Sequence, residues 1–266
     1  MEPVLAVAAA LGAGAAGLGW HHSRWVSYHR HKGIPVPPGG TRWMLEETRD
    51  LVVLGVWHGV GFLRDGLRSP AEPNGRLVVC VHGYTQNGTN FWGLRRALAE
   101  AGRPTVAVSM RHRLAPVGWY VDRLEQALEH AVASVPDRVD VVAHSMGGIV
   151  LRAVLARRTD LAERLGGVVT LGSPHRGTAA ARGFAWLPEV RALRRRSPWL
   201  ASLPSLPSLL PIGRVTTVAG SLDTVVYPVA SALAEGARQV VLDVGHVGLL
   251  TRRSAHRQVL AALDED

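Results

Sequence analysis

Three residues in the second half of the chain, in the order serine, aspartate, histidine, have the side chains that acyl transfer needs. Ser145 lies in Ala143-His144-Ser145-Met146-Gly147-Gly148. The apolar run 139–143 before it reads as a buried strand, and the stretch after it reads as a helix. A serine on a tight strand-to-helix turn carries its hydroxyl above the strand ends, where it can attack a carbonyl. Small residues two before and two after let strand and helix approach closely. Ala143 takes the first of those places, where glycine is more common, and is still small.

A hydroxyl needs a base, and the base needs an acid to orient it. His246 sits between two glycines in Gly245-His246-Val247-Gly248, directly after a strand expected at 239–243. A loop of that kind can swing an imidazole over the strand ends. Among the other late histidines, His175 precedes an irregular stretch. His256, in a closing helix among arginines, is expected at the surface. Asp223 follows the strand expected at 215–219 and is the candidate acid. Asp243 competes, but it stands only three residues from the base. The developing oxyanion needs two backbone N–H donors. Met146, next after the serine, offers one. The other is expected from Tyr84, in the loop His82–Gly88 that follows a strand at 77–81.

These side chains must be held by a sheet. Apolar runs at 77–81, 105–109, 139–143, 167–171, 215–219 and 239–243 alternate with helical stripes. That alternation predicts an α/β fold with a mostly parallel central sheet flanked by helices. Between His175 and Gly213 the alternation breaks. The insertion, placed at about 176–213, is read as a cap or lid. Phe184, Trp186, Leu187, Trp199 and Leu200 are its candidate substrate contacts. Residues 76–266 are assigned to the catalytic domain, 33–75 to a Pro/Gly-rich linker and lead-in helix, and 1–32 to an apolar segment with a basic tail.

The chain has 266 residues, a length suited to one large α/β domain, and a net charge of +9 carried almost wholly by arginine, with Lys32 its single lysine. No motif interleaves aromatic and basic residues on one face, so nucleic acid is not an expected partner. The arginine charge reads either as a solvated surface or as attraction to an anionic membrane surface. Residues 3–20 are uncharged and mostly Ala, Gly, Leu and Val. They are expected to act as an uncleaved anchor that makes the protein membrane-associated. A secretory signal or a cytoplasmic, soluble terminus are the alternatives. His21, His22, His29 and His31 lack an accompanying carboxylate or cysteine, so they are read as solvated, with no metal. The lone Cys80, in a continuous apolar run, reads as a buried hydrophobe.

Four separated segments together resemble bacterial lipases and carboxylesterases of the α/β-hydrolase superfamily. They are His82-Gly83-Tyr84, the Ser145 elbow, Thr170-Leu171-Gly172-Ser173-Pro174-His175-Arg176-Gly177-Thr178 and Gly245-His246-Val247-Gly248-Leu249-Leu250. The third is similar to larger lidded lipases and to GPI-inositol-deacylase-like hydrolases. The resemblance covers about residues 76–263. It implies a triacylglycerol-lipase-like carboxylic-ester hydrolase with Ser145, Asp223 and His246 as triad and Tyr84 and Met146 as oxyanion donors. It implies no cofactor, and a lipid or small ester as substrate. Some lidded lipases hold calcium near the histidine loop, but Arg252 and Arg253 stand there instead, so no metal is expected. An acyltransferase, a thioesterase or a non-catalytic binding protein on the same scaffold are the other readings. The residues do not specify acyl length or oligomeric state.

Overall fold

The apolar runs become six strands: β1 (Val78–Val81), β2 (Thr105–Val108), β3 (Val139–His144), β4 (Leu165–Leu171), β5 (Val215–Gly220) and β6 (Arg238–Leu242). The computed structural model describes residues 19–36, 40–63, 75–110, 115–184 and 187–264. The strands form one sheet in the order β2-β1-β3-β4-β5-β6, parallel at every pairing. Strands buried on both faces need no polar alternation. Accordingly β1, β3, β4 and β5 are buried along their whole length, while the edge strand β6 exposes Arg238, Gln239 and Val241.

Helices cover both faces. On one, α4 (Val117–Ala133) and α5 (Met146–Arg157) bury Leu124, Leu128, Ile149 and Leu155 against the sheet. On the other, α3 (Trp92–Glu100) and the closing helix Arg253–Asp264 bury Leu94, Leu98, Val259 and Leu263. Cys80 lies in this second layer, and burial pushes its thiol up to about 12. His256 does not point outward as expected. Its ring turns inward and bonds the carbonyl of Leu250 at 2.8 Å, so the arginines beside it in sequence were no guide to its direction. The chain steps from β1 to β2 on one side and then to β3 on the other. Parallel strands bring all C-terminal ends to one edge, and a crevice opens where the order reverses.

The irregular stretch lies between β4 and β5. It holds 3-10 turns at Ala180–Phe184 and Leu206–Leu209 and two short helices, Pro188–Ala192 and Pro198–Ser202. Its second half is not poised over the crevice. Leu200, Leu206 and Leu210 are buried in the core beside α5. Arg152 of α5 donates to the carbonyls of His175 (3.0 Å), Leu200 (3.4 Å), Leu203 and Pro204. Trp199 and Leu200 therefore pack against the body of the protein rather than line the crevice, contrary to expectation. Apolar side chains on a short helix serve core or ligand equally well, and here the core takes them.

Two helices precede the sheet: α1 (19–31) and α2 (Gly40–Leu63). Trp25 stacks within 6.1 Å of Trp43 and lies 4.2 Å from the His29 ring, while His22 lies 5.0 Å from Trp43. His29 is buried, and its Nδ1 is 2.9 Å from the Trp25 carbonyl. His22 and His29 are thus packed against tryptophan faces, not solvated as expected. Tyr28 meets Tyr227 edge-on and anchors α1 to the main body. Among the described residues no helix is long and apolar enough to cross a membrane. Most of the expected anchor, residues 3–18, lies outside the described residues.

Candidate active site

The strand ends bring four loops to one place. Ser145 follows β3 with φ 55° and ψ −127°. A side chain with positive φ stores strain on the order of 1–3 kcal/mol and persists only where its surroundings hold it. Here the Ser145 N–H donates to the Leu171 carbonyl at 2.8 Å. The glycines behind it are required by contact. A Cβ at Gly147 would stand 2.6 Å from the Val81 carbonyl, and one at Gly148 would stand 2.2 Å from Ser173 Oγ. Met146 is the first residue of α5, so its amide has no partner within the helix and lies at the positive end of the helix dipole.

His246, beyond β6, and Asp223, beyond β5, are brought together. His246 Nδ1 is 2.7 Å from Asp223 Oδ2. A carboxylate only accepts, so Nδ1 donates and the neutral ring keeps its lone pair on Nε2. Asp223 is held in turn, its Oδ1 accepting from the N–H groups of Val225 and Val226 at 2.8 and 2.7 Å. Burial pushes the His246 ring toward its neutral form, but the Asp223 charge and hydrogen bond outweigh it. Its pKa is raised above the ordinary value. Asp243 is engaged elsewhere and accepts from Ser221 Oγ at 2.8 Å.

The loop after β1 completes the floor. His82 is buried, with Nδ1 2.8 Å from the Gly83 carbonyl and Nε2 accepting from the Met110 N–H at 2.8 Å. Gln86 Oε1 accepts from the Gly83 N–H at 2.8 Å and lies 3.0 Å from His144 Nδ1. This fixes the turn that carries Tyr84. A cavity of about 560 Å³ opens here. Ser145, His246, Tyr84 and Met146 line it together. Of the expected insertion contacts, Leu187 lines it, joined by Val190 and Leu193. Trp186 and the side chain of Phe184 lie outside what is described.

Solved structures with this arrangement of sheet and helices include a lipase of Bacillus licheniformis in its mature form. It is 16% identical with a TM-score of 0.60, covering 73% of this chain and 94% of that one. The chain has the α/β-hydrolase fold. A metagenomic carboxyl esterase is 18% identical over 74% of this chain and 77% of that one, with a TM-score of 0.59. Lipase B of Aspergillus fumigatus is 18% identical over 74% of this chain and 54% of that one, at 0.57. The family model of the PGAP1-like alpha/beta domain matches residues 119–234. No curated protein sequence matches the chain.

Within this hydrolase fold, residues that the sequence motifs did not flag surround the site. His21 of α1 and Leu51, Leu54 and Gly55 of α2 form a second wall of the cavity. Glu47 of α2 reaches behind the histidine loop, where its Oε1 accepts from the Val247 N–H at 3.0 Å. Burial, opposed by that hydrogen bond, pushes its carboxyl up to about 7. Asp50 accepts from Arg252 Nε at 2.6 Å. The signal was present in part. Glu47, Asp50, Leu51 and Leu54 recur at helical spacing, so α2 carries carboxylates on the same face as the leucines that pack against the core.

Proposed function

We propose that this chain is a serine hydrolase that cleaves carboxylic esters through an acyl-enzyme, its physiological substrate a lipid acyl ester. Ser145 is the nucleophile, His246 the base and Asp223 the acid that holds the imidazole. The amides of Tyr84 and Met146 receive the oxyanion. The observation that carries this reading is the 2.7 Å His246–Asp223 bond in a cavity that also takes in the strained Ser145. The Ser145 proton passes to Nε2 as Oγ attacks the ester carbonyl. The tetrahedral oxyanion forms against the two amides. The alcohol leaves with the proton from His246, and water resolves the acyl-enzyme by the same steps.

The cavity lining supports a fatty chain: Leu51, Leu54, Leu187, Val190, Leu193 and Val225 are apolar. Trp20, Leu45, Val52 and Val56 are exposed on the two N-terminal helices, and this supports work at a lipid surface with residues 3–20 as anchor. The test is hydrolysis of p-nitrophenyl esters of graded chain length by wild type and Ser145→Ala. We expect the variant to lose at least about 10³-fold in kcat. Retained activity would refute the assignment. Removing residues 1–18 should also abolish partition into anionic vesicles, and unchanged partition would refute the anchor.

A further inference from the structure

His246 itself is bonded to Asp223, but the backbone that carries it is held by others. The carbonyl of His246 lies 3.2 Å from His144 Nε2. The next atom pair of the same peptide, the Val247 N–H, donates to Glu47 Oε1 at 3.0 Å. One peptide plane is therefore gripped at both polar ends, from β3 and from α2. The two grips are not equal. His144 also faces Gln86 Oε1 through Nδ1, so both of its nitrogens meet acceptors. Burial holds its pKa well below the ordinary histidine value, and a neutral imidazole has one N–H to give. Glu47 accepts from Val247 in either tautomer of His144.

Gly245 carries the same message. A Cβ there would stand 2.1 Å from Glu47 Oε2 and 2.8 Å from Oε1. The glycine before the histidine makes room for a carboxylate supplied from almost 200 residues earlier. We propose that Glu47 is a positioning residue for His246, fixing the peptide that follows the imidazole and adding negative charge behind it. The proposal rests on the reading of His246 as base.

The charge has a defined setting. Facing His246 and Glu47 are Asp223 after β5, His144 at the end of β3 and His21 of α1 with Arg24 beside it. Asp50 of α2 is also near, itself paired with Arg252. As pH rises through neutrality Glu47 ionises, and its charge then favours the protonated ring.

The experiment compares Glu47→Ala and Glu47→Gln in the full chain, by pH profiles of kcat and KM on a p-nitrophenyl ester. The amide of glutamine keeps an acceptor for Val247 but no charge. We expect Glu47→Ala to lose about tenfold in kcat with KM little changed. Glu47→Gln should restore most of the kcat while its acid limb moves down by about one pH unit. Wild-type kcat in a folded Glu47→Ala would overturn the proposal. If the alanine variant does not fold, the glutamine profile decides, and an unmoved acid limb overturns it. Ser145→Ala serves as the control. If it stays active, the reading of the whole site fails. If it is dead while both Glu47 variants match wild type, only the role of Glu47 fails.

Discussion

The cavity has two walls, and they are attached in opposite ways. The insertion between β4 and β5 is tied by an arginine to carbonyls and by leucines to the core. Its far half behaves as part of the hydrolase body. The N-terminal wall, α1 and α2, is tied by carboxylates to the loop that carries His246, through Glu47 to Val247 and Asp50 to Arg252. One wall braces the scaffold, and the other touches the residue proposed to move protons. A change in the first should therefore appear as a stability loss that pH does not alter, and a change in the second as a pH-dependent rate and stability.

The largest effect should come from the floor that both walls share. Asp223→Asn is expected to lower kcat by about 10⁴-fold, because the imidazole loses its oriented, charge-balanced tautomer. Asp243→Asn keeps an oxygen that can accept from Ser221 and should stay within a few-fold of wild type. Equal losses would reopen the choice of acid. Next in size is Arg152→Ala. It strips the donor from carbonyls of His175, Leu200, Leu203 and Pro204 at once. At 1 kcal/mol or more for each orphaned group, stability should fall by about 4 kcal/mol. Urea unfolding measures it, and a loss below about 1 kcal/mol would deny the insertion its bracing role.

The parts of the molecule differ in how openly the sequence declares them. The strands announce themselves by short β-branched runs, and Ser145, Asp223 and His246 each follow one of them. Position at a strand end is a local property, so it can be read from neighbours in sequence. The grip of Glu47 on Val247 spans 200 residues and depends on how α2 settles on the sheet, which no local pattern encodes. Trp199, Leu200 and His256 failed for a related reason. Residue type gives hydrophobicity or charge, but the direction a helix face turns is decided by what packs beneath it. His22 and His29 were expected to be solvated because no carboxylate or cysteine accompanies them, yet Trp25 and Trp43 supply flat faces that cover them.

A smaller effect separates the walls by pH. Glu47 has a raised carboxyl, about 7 in the folded state against roughly 4.3 when unfolded. A raised acid holds its proton more tightly when folded, so its contribution is intact below about pH 4 and is lost as pH rises through 7. Glu47→Gln does not titrate. It should therefore be more stable than wild type by roughly 3 kcal/mol at pH 8, with no gain near pH 4. Arg152→Ala should show no such dependence. Chemical denaturation of both variants at the two pH values checks this, and a pH-independent Glu47→Gln would remove the electrostatic contrast between the walls.

The smallest expected effect asks whether both walls touch the substrate. Leu51 of α2 and Leu187 of the insertion face the same cavity. Each can be enlarged to tryptophan without touching Ser145, Asp223 or His246. If the acyl chain runs between the walls, both variants should shift preference from long toward short esters. The ratio of kcat/KM values should change by about tenfold, the range that a methylene or two in an apolar pocket can command. A shift with Leu187→Trp alone would leave α2 as a support for the histidine loop and nothing more. A shift with Leu51→Trp as well would make the N-terminal helices part of the substrate site, so that one segment would hold the base and measure the chain.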